Sequence, residues 1–281
     1  MKKVLLLVAA LSLVLIFGAC NDTAEVHVPA ADSGISDDAG TTNANVTPDA
    51  NVEGEIVYQI FSDNAFPPFH MLNPNTGEFY GFDVDLIEAI AADQGFRIER
   101  NHVGFAAALG ALEAGIADGM IAGMSITEER RERFDFSEGY FVAGQILVVP
   151  RGSSISGFAD LAGQTVAVKI GTVGSIFGEA MAEEYGFNLI FFEDSPTMYA
   201  SVMLGSAAAA IEDRPVIEFE IYRSDLALQT VGETLNPRYY GFAVRRGEFP
   251  ELIEMFNTGL ANLRANGYYY EILARYGLAL N

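Results

Sequence analysis

The chain has 281 residues, with 38 Asp and Glu against 16 Lys and Arg, a formal net charge of −22 and a single cysteine. Such acidity keeps it off the phosphates of nucleic acids and off anionic lipid head groups. One cysteine excludes an internal disulfide and a thiolate-held metal, and His27, His70 and His102 are too scattered to suggest a metal site.

Residues 1–19 read as an export leader. Met1-Lys2-Lys3 is basic, 4–17 is apolar apart from Ser12, and Gly18-Ala19 are small. The run is too short for a stable membrane span. Cys20 directly behind the small pair predicts a lipoprotein site, with Cys20 lipidated as the new N-terminus. Phe17 stands where leucine is usual, and an ordinary secretory cleavage that leaves a free thiol is the alternative. Residues 20–53 predict a disordered acidic tether, rich in Asp, Ala, Thr and Asn, without Lys or Arg and without a period. As a flexible coil it spans on the order of 30 Å.

From residue 54 onward the pattern is globular. The spacing predicts a strand over 56–61 and a helix over 82–92, with Phe82, Leu86 and Ile90 on one stripe. A strand over 98–103, a helix over 106–114 and a strand over 119–124 follow. Residues 145–150 form an apolar strand ending in Pro150. The alternation then restarts, with a short helix over 158–161, a strand over 165–170, a helix over 176–185 and a strand over 188–192. Residues 206–211 end another strand, Pro215 opens a helix, and 239–244 form a strand. Leu252, Phe256, Leu260 and Leu263 mark the buried face within two closing helices. Strand–helix alternation implies parallel α/β sheets. By itself it fits two sequential domains as well as two lobes joined by two crossings.

One segment carries chemistry: Ala122-Gly-Met-Ser-Ile-Thr-Glu-Glu-Arg-Arg-Glu-Arg-Phe-Asp-Phe-Ser-Glu-Gly-Tyr-Phe141. Thr127 is suited to cap a helix, with Glu128 and Glu129 at its positive end. Ser125 lies just before that start and Arg130 in the first turn. Free N–H groups at a helix start accept an anion, and a guanidinium fork fits a carboxylate. The segment therefore reads as a receptor for a small carboxylate. The alternative is a solvated arginine in an Arg-Arg-Glu-Arg run.

This segment is similar to the Ala-Gly-(x)-(Ser/Thr)-Ile-Thr-x-Glu-Arg…Asp-Phe-Ser-x-x-Tyr signature of family 3 extracellular solute-binding proteins, the polar amino-acid receptors of ABC importers. Asp63-Asn-Ala-Phe-Pro-Pro-Phe69, Tyr80-Gly-Phe-Asp-Val-Asp-Leu86, Val166-Ala-Val-Lys-Ile-Gly-Thr-Val-Gly174, Ala210-Ile-Glu-Asp213 and Leu263-Arg-Ala-Asn-Gly-Tyr-Tyr-Tyr-Glu-Ile272 extend the resemblance, in order, over roughly residues 54 to 278. It implies an α/β, two-lobed periplasmic-binding-protein type II fold with parallel-rich sheets and a double-crossing hinge. Lobe 1 is then 54–148 plus 240–281 and lobe 2 is 149–239, with crossings near Val148-Val149 and Tyr239-Tyr240.

The resemblance also implies a site. Arg130 and Ser125 match the family's carboxylate grip, and Thr172 matches the grip from the second lobe, against a plain strand–helix turn. The Gly123 carbonyl and Asp213 match ammonium acceptors; for Asp213 the alternative is a helix N-cap before Arg214-Pro215. Phe66 and Phe105 match aromatic walls, against ordinary core. Asp63 matches a carboxylate at the ligand's distal end. Lys169 is the lysine of a chain otherwise using arginine after its leader, and Glu212 adds a second anion beside Asp213. The resemblance implies an ABC permease and its ATPase as partners, an extracytoplasmic monomer tethered to the membrane by its lipid, and no cofactor. No enzyme is expected; residues 171–174 lack the Gly-Lys-Ser/Thr of a phosphate loop. A dehydratase of the same fold, with Glu212, Asp213 and Lys169 as acid and base, is the competing reading. Asp63, Phe66, Phe105 and Lys169 resemble the glutamine-binding branch, which carries a histidine where this chain has Glu212. Glutamine is the favoured ligand and a cationic amino acid the alternative.

Overall fold

The computed structural model describes residues 56–278. The leader over 1–19, Cys20 and the tether over 20–53 lie outside the described residues.

The chain opens with β1 (Val57–Ser62), whose alternating burial puts Tyr58 and Ile60 in one core while Phe61 faces another. A short hairpin, β2 (Met71–Leu72) and β3 (Phe79–Tyr80), leads into α1 (Phe82–Gln94). Phe82, Leu86 and Ile90 of α1 are buried, and Gly95 ends the helix at φ 73, with its N–H bonded to the Ala91 carbonyl. β4 (Arg97–His102), α2 (Phe105–Glu113) and β5 (Gly119–Met120) follow. β5 is shorter than the strand expected over 119–124. Beyond Met120 the chain turns out of the ladder, and Gly123 adopts φ 57 with its N–H bonded to Asp83. α3 (Glu128–Arg131) and β6 (Phe134–Phe136) complete this stretch.

β7 (Phe141–Pro150) begins the second sheet. A 3₁₀ turn (Phe158–Leu161), β8 (Thr165–Lys169), α4 (Val173–Tyr185), β9 (Asn188–Phe192), α5 (Ser195–Met203), β10 (Ala209–Asp213), α6 (Arg214–Ser224) and β11 (Leu228–Tyr240) follow. The chain closes with β12 (Ala243–Arg245), α7 (Pro250–Asn266) and α8 (Tyr268–Arg275). The single strand expected over 239–244 is thus two strands in two sheets, parted at Gly241 and Phe242. A Cβ on Gly241 would lie 2.9 Å from Ile126 side-chain atoms, so the chain passes there with no room to spare.

The fold is two α/β lobes. The first sheet runs β4-β1-β5-β12-β6 and the second β11-β7-β10-β8-β9. Both are mixed. β4, β1 and β5 are mutually parallel, as are β10, β8 and β9, while β12, β6, β7 and β11 add antiparallel pairs. Leu252, Phe256, Leu260 and Leu263 of α7 join α1 in the first lobe's core, so the C-terminal segment returns to the lobe where the described chain starts.

β7 and β11 are the two connections. They pair antiparallel from Phe141↔Tyr240 to Pro150↔Leu228, with register breaks between Val231 and Leu235 and between Leu235 and Arg238. Phe141 and Ala143 pack in the first lobe's core, whereas Ile146 and Leu147 pack in the second's. The change of core therefore falls at Gly144 and Gln145, a few residues ahead of the Val148-Val149 crossing expected from sequence. Gln145, the one polar residue in the run from Phe141 to Pro150, coincides with the change.

Candidate functional site

Strand ends and helix starts from both lobes converge on one cleft. It is lined by Asp63, Phe66, Phe105, Ala122, Gly123, Ser125, Arg130, Lys169, Thr172, Val173, Gly174, Glu212 and Asp213. All ten ligand-site residues singled out from sequence are among them.

Arg130 sits in α3, which Thr127 caps by accepting from the Arg130 N–H at 3.1 Å. The residue is 4% exposed, and its guanidinium lies 5.4 Å from the Phe105 ring centroid and donates from Nη1 to the Ser125 carbonyl at 2.7 Å. From Nη2 it reaches across the cleft to the Gly171 carbonyl at 3.1 Å. The solvated-arginine alternative is therefore not what the fold shows. Burial lowers the Arg130 pKa from 12.5 to about 10, against the pull of Asp213, so the cation persists at neutral pH.

The Gly123 turn is braced from beneath. Asp83 Oδ2 accepts from the Gly123 N–H at 2.8 Å and the Tyr140 hydroxyl at 2.9 Å, and lies 3.2 Å from His70 Nε2. The Phe66 ring packs against this turn: a Cβ on Gly123 would meet Phe66 Cε1 at 2.3 Å. Phe66 and Phe105 are each 5% exposed and line the cleft.

At the far end, Lys169 Nζ lies 2.5 Å from Asp63 Oδ2 and 5.2 Å from the Phe66 ring centroid. Asp63 directly follows β1 and Lys169 ends β8, so this buried ion pair joins the lobes.

Thr172 caps α4. Its hydroxyl accepts from the Ser175 N–H at 3.1 Å and donates to the Lys169 carbonyl at 2.7 Å. Its donor is thus spent within the turn, and what this corner offers an anion is the N–H groups of the first turn of α4.

Glu212 and Asp213 end β10. Glu212 Oε2 accepts from the Ser195 and Tyr199 hydroxyls, both at 2.8 Å, and Oε1 from the Asp213 N–H at 2.9 Å. Burial, then the Asp213 charge, raises the Glu212 pKa, while Lys169 and the hydrogen bonds oppose the rise. Asp213 stands at the N-cap position of α6 but makes no capping bond with its side chain. Gln145 Nε2 donates to its Oδ1 at 2.6 Å, and the Tyr240 hydroxyl donates to its Oδ2. Burial raises the Asp213 pKa against these donors and the Arg130 charge. The cleft thus sets three carboxylates, Asp63, Glu212 and Asp213, against two cations, Arg130 and Lys169.

Four supporting residues escaped the sequence reading: Ser195, Tyr199, Gln145 and Tyr240. The first two lie on α5, which was not anticipated, although Asp194-Ser195-Pro196 is a helix-start signal; Asp194 accepts from the Thr197 N–H at 2.8 Å. Gln145 is a polar residue inside an apolar strand, and that was its available signal.

Comparison with known proteins agrees with this architecture. Residues 58–279 match the bacterial extracellular solute-binding proteins, family 3. A probable histidine-binding protein from Neisseria gonorrhoeae is 30% identical over 224 residues, covering 78% of this chain and 82% of its own. An ABC transporter glutamine-binding protein from Bacillus subtilis (strain 168) is 29% identical over 227 residues, covering 79% of this chain and 81% of its own. Among solved structures, an ancestral arginine-binding protein bound to arginine superposes with a TM-score of 0.74 at 34% identity, over 78% of this chain and 97% of that one. The match spans both lobes and both connecting strands, and the chain belongs to the bacterial extracellular solute-binding proteins, family 3.

Proposed function

We propose that this chain is the extracytoplasmic receptor of an ABC importer and binds a polar L-amino acid between its lobes. The observation that carries this reading is the pairing of Arg130 and Asp213 in one cleft. One is a buried cation with N–H donors to spare, and the other a half-buried carboxylate held by neutral donors. An amino acid's carboxylate and ammonium complement them, and buried charges persist only when paired. Arg130, the Ser125 loop and the first turn of α4 take the carboxylate. Asp213 and the Gly123 carbonyl take the ammonium, and Phe66 and Phe105 flank the side chain. Glutamine is the favoured ligand, because Asp63 accepts from an amide NH₂ and Lys169 donates to its carbonyl. Arginine, lysine and histidine are the competitors, favoured by the excess carboxylate at Glu212. The names of the relatives support an amino acid without choosing among these.

The reading as a receptor rather than a dehydratase is supported by how the acid–base candidates are held. Lys169 is paired with Asp63, and Glu212 accepts three donors. Calorimetric titration with each common amino acid, followed by recovery of the ligand, tests both points. A receptor returns its ligand unchanged, and failure of every amino acid to bind would overturn the proposal. Export and lipid anchoring through Cys20, and delivery to a permease and its ATPase, complete the proposal. Cys20→Ser should release the protein from membranes, and a cleaved variant that still fractionates with them would refute the anchor.

A further inference from the structure

Asp213 is held by the two strands that connect the lobes. Gln145 on β7 is 2% exposed and donates from Nε2 to Oδ1 at 2.6 Å; Tyr240 on β11 donates its hydroxyl to Oδ2. The other end of the Gln145 amide is also engaged, since Oε1 accepts from Asn236 Nδ2 at 3.0 Å. Asn236 adopts φ 50 and lies between Leu235 and Arg238, where the β7–β11 register breaks. Gln145 stands where β7 passes from the first core to the second. The backbones are in close approach at the same point, because a Cβ on Gly144 would meet the Leu235 carbonyl oxygen at 2.6 Å. Neither Gln145 nor Asn236 lines the cleft.

We propose that Asn236, Gln145 and Tyr240 form a hydrogen-bonded relay that positions Asp213 on the hinge and keeps its carboxylate available for a ligand ammonium. The proposal rests on the reading of Asp213 as the ammonium acceptor. Asn236 fixes which way the Gln145 amide faces, because a flipped amide would set its carbonyl oxygen against the Asp213 carboxylate and its NH₂ against the Asn236 NH₂. Two donors on one carboxylate favour its ionised form. Tyr240 packs in the first lobe's core while Asp213 ends β10 in the second, so rotation about the connecting strands changes how this donor meets its acceptor. Three positioning residues therefore couple the shape of the hinge to the charge the ligand meets. The charged and titratable groups around Asp213 are Arg130 from α3, Lys169 from β8, Tyr240 from β11 and neighbouring Glu212. Burial pushes the Asp213 carboxyl upward, and the relay is one of the influences that oppose the push.

The test is the pH dependence of L-glutamine and L-arginine binding, by calorimetry between pH 5 and 8, for the parent, Gln145→Met, Tyr240→Phe and Asn236→Ser. Affinity for an α-amino acid should fall as pH drops and Asp213 protonates. In Gln145→Met and Tyr240→Phe that fall should begin at higher pH, and affinity at the acid end should drop by about tenfold or more, the loss expected for one donor to a charged group. Asn236→Ser should shift it less, because it removes orientation and not the donor. Glutaramate, which is glutamine without its α-ammonium, should bind parent and variants alike. A parent that binds glutamine with an acid limit left unmoved by Gln145→Met and Tyr240→Phe would overturn the relay and leave the receptor reading intact. A parent that binds glutaramate as well as glutamine would overturn the ammonium role of Asp213 and the relay with it. Melting temperatures without ligand separate these outcomes from misfolding. If Gln145→Met unfolds, Tyr240→Phe and Asn236→Ser carry the same decision.

Discussion

Lys169→Met isolates the far end of the cleft. Lys169 Nζ lies 2.5 Å from Asp63 Oδ2, with the two side chains 3% and 1% exposed. Methionine keeps most of the stem and drops the cation. Asp63 and Glu212 then face the cleft as two carboxylates without a cation between them. Removing one partner of a buried ion pair costs about 3–5 kcal/mol, because the remaining charge is uncompensated. A neutral glutamine side chain supplies N–H donors and cannot restore the charge. An arginine or lysine side chain carries a cation into the same place and recovers part of the cost. The variant should therefore weaken glutamine and move the glutamine-to-arginine affinity ratio toward arginine by tenfold or more. That change needs only about 1.4 kcal/mol, well inside the cost of the broken pair. Side-by-side calorimetric titrations of parent and variant at one pH and salt give the ratio, and a melt without ligand checks the fold. An unchanged ratio would refute the charge argument and remove the main support for glutamine.

Arg130→Ala should abolish binding of every α-amino acid, since the cleft would then meet the ligand carboxylate without its guanidinium; an affinity within a few-fold of the parent's would sink that assignment. Gly123→Ala places a methyl 2.3 Å from Phe66 Cε1 on a backbone at φ 57, so affinity should drop by well over tenfold in the same titration. A saturating ligand should raise stability by about 2.7 kcal/mol at a hundredfold excess over Kd, read as a rise in melting temperature. Acid should act on stability in the opposite sense to its effect on binding. Glu212 and Asp213 have folded-state pKa values raised above their ordinary 4.5 and 3.8. Their contribution to stability is therefore greatest below those ordinary values and is lost as pH rises through the raised ones. The protein without ligand should gain melting temperature on acidification through that window, and Glu212→Gln should shrink the gain; a gain of equal size in parent and variant would contradict the shift at Glu212.

The site was legible in sequence where its chemistry is local. Thr127, Glu128, Glu129 and Arg130 are a helix start with a cation in its first turn, and neighbours in the chain suffice to reveal it. Asp63, Lys169, Glu212 and Asp213 lie at or next to strand ends, where an α/β sheet presents its ligands, and the family resemblance supplied their grouping. Residues whose role depends on tertiary pairing were hidden. Tyr199 faces Glu212 from α5, and Gln145 meets Asp213 across a β7–β10 register that only the folded sheet defines. β11 was missed for a physical reason. Much of it is exposed, it contains Gly232 and Asn236-Pro237, and its ladder breaks register twice, so its sequence reads as loop.

In the proposed reading, the side-chain charges that answer the two ends of an amino acid stand on different lobes, and this ties recognition to closure. Arg130 stands on α3 of the first lobe and Asp213 at the end of β10 in the second. Two of the five N–H donors of Arg130 go to the Ser125 and Gly171 carbonyls, one in each lobe, and the remainder are free of those bonds. Arg130 can therefore hold the lobes together and grip a carboxylate at once, with no exchange of one bond for the other. Asp213 is placed differently. Its donors, Gln145 and Tyr240, are neutral, so an ammonium adds a charge complement that the connecting strands do not supply. A ligand that lacks its carboxylate or its ammonium then leaves one lobe's charge unanswered, and has less differential affinity with which to shift the equilibrium toward closure. On this proposal closure draws on both charges of the amino acid, and Asp63, Lys169 and Glu212 at the cleft's far end are left to read the side chain.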